Sequence, residues 1–465
     1  MWFAIICTLV EVFEFFWGDS NQMLIPLLAL FCYMMVYSIR NLTKNIVLFL
    51  FLVAFFTFLM GRLVLPVFFS QSVYSTLFFS WISFTVETYK HVCLSLYIAL
   101  LFIFVGYKYE QNKQTFTLEP KFNPKSTYIR CIRRLSKKAA YFSAPFSGLI
   151  ILEKVLFVLT HGYEQIFIGY ETSLPVVVLI LSTLFDKFCF LFLATLPDKR
   201  ESKTIILLYT IISVSNLLAG DRGEAMMAVF IIIGYHFIRN RLYSNNEKWI
   251  SRFGVISLFA VAPVVISLLL AISYLRTNSE FNFDSLGIAI SAFFFQQGSS
   301  VNVIACSYQD AHMLPQGKIY SFGALIDYFG NNYISRIVTG SAPLKVGSAE
   351  LATEGNSLDA AITYLESPEF YFNGGGMGSS FIAEAWHDFG YIGIMFFSIF
   401  YGVVLSKIPK LCTINVWIAV IALIFLKYIM YAPRARATGF IVATLSVSFW
   451  PVAYLIYLKA RKLKR

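Results

Sequence analysis

Apolar runs of membrane-spanning length recur along almost the whole chain, separated by short polar breaks. A helix that crosses a bilayer needs ~20 mostly apolar residues, and such runs lie at 2–17, 22–39, 45–61, 85–107, 139–160, 174–196, 204–219, 224–238, 254–275, 380–404, 413–431 and 438–458. The pattern predicts an all-α, polytopic integral membrane protein of about 12 transmembrane helices. The first, seventh and eighth runs are short for a crossing, and Leu63 to Phe84 could hide a partial or re-entrant segment, so the range about 11–13 stays open.

Charge orders these runs. Basic residues gather in alternate breaks: Arg40 and Lys44, then the stretch 108–138, then Lys199 to Lys203, then Arg239 to Arg252, then Lys407 and Lys410, and last the tail KARKLKR. The positive-inside rule makes these cytoplasmic and puts both termini in the cytoplasm. Met1 to Trp17 lacks a basic lead and a cleavage signal and carries Glu11 and Glu14, so it reads as a retained first helix. The division expected is 1–275 with nine spans and a basic cytoplasmic loop at 108–138, an extracytoplasmic loop at 276–379, and 380–465 with three spans and the basic tail. The loop holds nine acids against Arg276, Lys318, Arg336 and Lys345. Loops longer than ~12–15 residues without structure of their own are functional or disordered in most cases. Apolar residues throughout it, with amphipathic stretches at Leu286 to Ala305 and Phe322 to Ile337, predict an ordered helical cap.

Composition excludes several classes. With 58% hydrophobic and 14% charged residues, the chain is far from an ordinary soluble protein, which carries ~25% charge. A net charge of +11 suggests nucleic acid until the basic residues are seen to sit in short loops, where they report topology and contact with membrane lipid. Seven scattered cysteines form no CxxC and no His-Cys group, so neither a disulfide framework nor a zinc site is expected, and since Glu384-x-x-His387 has no second such pair to complete a di-iron site, no metal or cofactor is expected either.

Candidate chemistry concentrates at Asn373 to Gly393, NGGGMGSSFIAEAWHDFGYIG. Gly375, Gly376 and Gly378 let the backbone bend and a ligand approach, and Ser379 and Ser380 stand where helix N-caps stand. A helix from there puts Glu384 and Asp388 on one face, beside His387. Such polar groups at membrane depth mark a function, a general base toward a sugar hydroxyl for instance, or a capping and packing role. A second set is basic: Arg222 in Gly-Asp-Arg-Gly-Glu, Arg276, Arg336, and Arg434 with Arg436 in Ala-Pro-Arg-Ala-Arg-Ala, all against the charge rule on the external side. Snorkelling or a salt bridge explains any one of them as well as function does. As a set they suit a pyrophosphate, whose oxygens match the guanidinium fork. Tyr364, Phe370, Tyr371 and Phe372 could stack on sugar rings or form an interfacial belt.

The segment Gly378 to Gly390, GSSFIAEAWHDFG, together with Asn356-Ser-Leu-Asp359 and Gly-Asp-Arg-Gly before the eighth span, resembles the Wzy family of O-antigen polysaccharide polymerases. The resemblance extends to the layout of spans and late external loop. It implies a GT-C-like glycosyltransferase in the bacterial inner (plasma) membrane that uses no nucleotide-sugar. Growing glycan on undecaprenyl pyrophosphate would be transferred to a new lipid-linked repeat unit on the outer face, for O-antigen or a related lipopolysaccharide glycan. A chain-length regulator and a flippase of the same pathway would be its partners. In that setting the arginines would hold the leaving pyrophosphate, and Glu384 or Asp388 would deprotonate the acceptor. The competing readings are a lipid-linked oligosaccharide flippase, against which the asymmetric cap and lack of repeated halves speak, and an O-antigen ligase.

Overall fold

The computed structural model describes residues 2–18, 20–68, 84–113, 118–162, 166, 170–242, 248–251, 253–257, 286–331, 335, 340 and 344–462. Arg276, Arg336, most of the predicted ninth span and the start of the external loop lie outside the described residues. Among the described residues every regular element is a helix. Seven helices among the described residues are long and apolar enough to cross a membrane: Leu42–Leu65, Val86–Gln111, Thr127–His161, Val176–Ala194, Lys199–Ala219, Arg222–Leu242 and Phe381–Leu411. Leu24–Arg40 and Val416–Ile429 are shorter apolar helices.

Two predicted elements change. The helix expected at 139–160 starts at Thr127, capped by the Ser126 hydroxyl, so the latter part of the supposed basic loop is helical. Arg133 in this stretch is buried and donates from Nη2 to the carbonyls of Thr195 (2.9 Å), Leu196 (3.4 Å) and Pro124 (3.0 Å), and from Nε to Thr195 Oγ1 (3.0 Å). Two of these carbonyls, of Thr195 and Leu196, follow the helix Val176–Ala194, where carbonyls lose their partners within the helix, and a guanidinium fork can satisfy several at a time. The second change is at the last predicted span, 438–458. It is broken: helix Gly439–Val442 stops, and a new helix runs Phe449–Lys462. The intervening Ser446 accepts a hydrogen bond from Lys187 Nζ at 2.9 Å, the Thr444 carbonyl is taken by Trp450 Nε1, and Pro451 sits in the first turn of the new helix, where a missing N–H costs nothing.

The described chain forms two compact units. The first comprises 1–114, 283–406 and 430–442. Its frame is the crossing of Val86–Gln111 with Phe381–Leu411 at two glycines. A Cβ on Gly106 would stand 2.3 Å from the Ile399 carbonyl oxygen, and one on Gly402 would stand 2.1 Å from that of Ile103, so the backbones touch. Small residues at such contacts are how helices pack where lipid removes the hydrophobic drive. The cap's short helices Ala349–Glu354, Leu358–Glu366 and Pro368–Phe372 close around Ala352, Ala360 and Tyr371. Here Tyr364, Tyr371 and Phe372 meet edge to face at centroid distances of 5.6 to 5.7 Å, with Tyr371 in the cap's own core, Tyr364 packed against it and Phe372 exposed. The second unit comprises 115–282, 407–429 and 443–465, and in it Thr127–His161 packs along Val176–Ala194.

Phe381–Leu411 is two helical segments joined at Gly390, where φ is +60° and ψ −152°. That region is open almost only to glycine. Glu384, His387 and Asp388 therefore sit on a short segment before the break, and the long segment begins after it. Gly390→Ala is expected to destabilise the protein by about 1–3 kcal/mol, read as a lower midpoint of unfolding by titration with denaturing detergent. An unchanged midpoint would show that the break is not needed.

Candidate functional site

The glycine turn is built against the cap. Gly375 N–H donates to the Phe370 carbonyl at 2.8 Å, and a Cβ there would meet the Phe370 ring at 2.4 Å. Met377 N–H donates to Thr363 Oγ1 at 3.0 Å, and Gly378 N–H donates to the Asp359 carboxylate. Gly378 has φ +80°, a conformation glycine adopts without cost. Ser380 then starts the next helix, accepting from Glu384 N–H on its carbonyl and from Ile382 N–H on its hydroxyl.

Both carboxylates suggested by the sequence are held in place. Glu384 is fully buried: Ser379 Oγ donates to its Oε1 and Ala437 N–H to its Oε2, each at 2.7 Å. Asp388 accepts from Tyr320 N–H (3.1 Å), Ser321 N–H (2.7 Å) and Ser321 Oγ (2.6 Å), and His387 Nδ1 lies 3.5 Å from its Oδ1. One carboxylate thus ties the turn to the segment carrying Arg434 and Arg436. The other ties the same helix to the cap at residues 320–321.

Arg434 and Arg436 flank the turn from that segment. Gly378's absent side chain leaves Arg434 alongside, 3.7 Å from where a Cβ would be, and Gly376 stands in the same way over Asp359 at 3.5 Å. Arg434 Nη1 donates to the Gln297 carbonyl at 3.1 Å and approaches Ser299 Oγ at 3.5 Å, leaving Nε and Nη2 without a partner among the described residues. Arg436 Nη2 is paired with Asp327 at 2.7 Å and with the Asn356 carbonyl, while its buried Nε has no partner. Asp359, under the turn, has its carboxyl pushed above the usual range by burial, opposed by hydrogen bonds from Gly378 and Thr363 and by both arginines. A raised carboxylate beside a half-exposed guanidinium can take a proton while the guanidinium holds an anion.

The structure gathers Gly375, Gly376, Gly378, Ser379, Ser380, Glu384, Asp388, Arg434 and Arg436 in the first unit. Arg222 opens the helix Arg222–Leu242 in the second. Sequence reading noted Asp359 only as part of Asn-Ser-Leu-Asp, since nothing linear shows it lying beneath glycines seventeen to nineteen residues later. It also missed the group Cys306, Asp310 and Glu366, whose ligand-type atoms lie within 4.8 Å of one another. Asp310 Oδ2 is buried without a partner, and burial with Asp310 alongside pushes the Glu366 carboxyl up to about 7.

Over residues 1–465, its whole length, the chain matches the family model described as O-antigen polysaccharide polymerase Wzy. No curated protein matches it, and neither does any solved structure.

The Glu366 pair yields a pH effect of definite sign. Glutamate in an unfolded chain titrates near ~4.3, whereas here it does so at about 7, so between those values the folded state holds the extra proton. Stability is fullest below the lower value and falls as pH rises through the upper one. Thermal unfolding in detergent between those pH values should show a steeper loss for wild type than for Glu366→Gln. Parallel profiles would remove Glu366 as the cause.

Proposed function

The chain belongs to the O-antigen polysaccharide polymerase Wzy family, and on that premise we propose that it joins undecaprenyl-pyrophosphate-linked repeat units on the outer face of the bacterial inner membrane. Membership supports O-antigen repeat-unit polymerisation in general, and the apolar helices support a multi-pass membrane protein. The observation that carries the finer reading is Arg434 standing beside Gly378 with Asp359 beneath the same turn.

In this reading the acceptor sugar's hydroxyl attacks the anomeric carbon of the growing chain, and the bond from that carbon to the carrier pyrophosphate breaks. Asp359 takes the hydroxyl proton. The pyrophosphate leaves with the bonding electrons, and the free N–H groups of Arg434, with Arg436 beside it, stabilise the charge that develops. The glycines allow the phosphate to reach the backbone at the start of a helix, where N–H groups and the helix dipole favour anions. Glu384 and Asp388 act as positioning residues: they hold the turn, the arginine segment and the cap in register. The basic breaks predicted from sequence support cytoplasmic termini and an external cap, and so a site reached by carrier-linked glycan after its translocation. A flippase would supply that glycan and a chain-length regulator would limit it.

Deleting the gene and returning variants tests this on surface glycan resolved by gel. Wild type should restore a ladder. Arg434→Ala should collapse it to single repeats through a loss of about 10²–10³ in rate, and Asp359→Asn through a loss of about 10²–10⁴, with membrane levels of the protein unchanged. A normal ladder from Arg434→Ala would end the assignment of that arginine. Loss of translocation would point to a flippase, and full-length polymer left on its carrier to a ligase.

A further inference from the structure

The second unit contains a cavity of 320 Å³ lined by polar and apolar side chains alike, framed by Thr127–His161, Val176–Ala194, Lys199–Ala219, Arg222–Leu242 and Val416–Ile429. Behind its wall lies Lys427, with no exposed surface, whose Nζ contacts Asp186 Oδ2 at 2.5 Å and Glu224 Oε2 at 2.7 Å. The two carboxylates line the cavity and keep 30% and 33% of their side-chain surface open. Asp186 Oδ1 and Glu224 Oε1 have no partner among the described residues. Charge buried within an apolar bundle is costly and is kept where it serves a site.

The lining says what the cavity would hold. Asp186 and Glu224 are balanced by Lys427 and by Lys187, another lining residue, whose Nζ donates to Ser446 Oγ at 2.9 Å. A cavity already neutral offers no net attraction to phosphate or to a cation. What it offers is hydrogen bonding: two free carboxylate oxygens and the Asn216 Oδ1 as acceptors, its amide nitrogen being spent on the Ile212 and Ser213 carbonyls, with the rings of Phe190 and Tyr428 also in the lining. Carboxylate acceptors beside aromatic faces match a ring that carries hydroxyls on its edge and C–H groups on its faces. The volume is at the small end of ligand pockets, ~300–1,000 Å³, so it suits one ring rather than a chain of them.

We propose that this cavity is a sugar subsite that takes one neutral pyranose of the lipid-linked repeat unit. The proposal rests on the polymerase reading and names the part of the substrate that the second unit recognises. Lys427 is a positioning residue in it, since its ammonium reaches the guest only through the two carboxylates that it orients.

Ser182→Trp fills the cavity and leaves the three charges in place. Ser182 Oγ donates only to the Leu179 carbonyl of its own helix, and the bond between helices at this position, from Ser147 Oγ at 3.0 Å, goes to the Ser182 backbone carbonyl, which the replacement keeps. Native mass spectrometry of the full chain would compare two probes, lipid-linked single repeat and bare undecaprenyl pyrophosphate, with Asp186→Asn as a second variant that keeps the side chain's size. Both variants should bind the single repeat at least about tenfold more weakly and bare undecaprenyl pyrophosphate within about twofold of wild type. Ser182→Trp should also fail to restore the ladder while unfolding at the wild-type temperature. Repeat binding that survives in both variants, or equal loss of both probes, overturns the sugar assignment. If wild type itself restores no ladder, the polymerase reading falls and the subsite with it. If wild type and Ser182→Trp both restore it, the subsite alone falls.

Discussion

The first unit depends on the burial of one carboxylate. Glu384 has no exposed surface, and its two oxygens are spent on Ser379 and on the backbone of Ala437. A carboxylate sealed from water is tolerable only when its oxygens are satisfied. The constraint also runs the other way, because Ala437 N–H is a buried donor that needs an acceptor. The side chain therefore fixes where residues 434–438 lie relative to the glycine turn. Arg434 and Arg436 stand on one side of that contact and Gly376 and Gly378 on the other, so the arrangement of charge against open backbone follows from it. Asp388 repeats the device with the cap, taking three hydrogen bonds from residues 320 and 321.

Around these links the packing leaves little tolerance. Gly106 and Gly402 allow two long helices to touch through their backbones, and Gly390 then turns the chain so that the carboxylate-bearing segment precedes the long one. Glycine serves two different ends here. At the crossing it is the absence of a side chain that matters, and at the break it is the backbone conformation.

Much of this was legible in the chain. Apolar runs located the long helices closely, because lipid-facing and core residues alike must be apolar over a span's length. The stretch Asn373 to Gly393 stood out because glycine density and embedded charge are both local signals. Three features were not legible. The uses of Glu384 and Asp388 depend on Ala437 and on residues 320–321, which are remote in sequence. Lys427, Asp186 and Glu224 stand on three helices far apart in sequence, and no local signal joins them. The break after Val442 hides within an apolar stretch because serine and threonine lower hydropathy only slightly, although their hydroxyls compete with the helix for its backbone.

Arg133 shows how far a residue's two readings can coincide. By count it is one more positive charge in a basic segment, the kind that settles which way neighbouring helices enter a bilayer. By contact it closes the carbonyl end of Val176–Ala194, a helix some sixty residues downstream. The same atom would thus be read during insertion, as charge, and again during assembly, as a donor set that lysine cannot reproduce. For this chain, moving positive charge to invert its orientation would also remove a structural clasp, so topology and folding are not separately adjustable at that position.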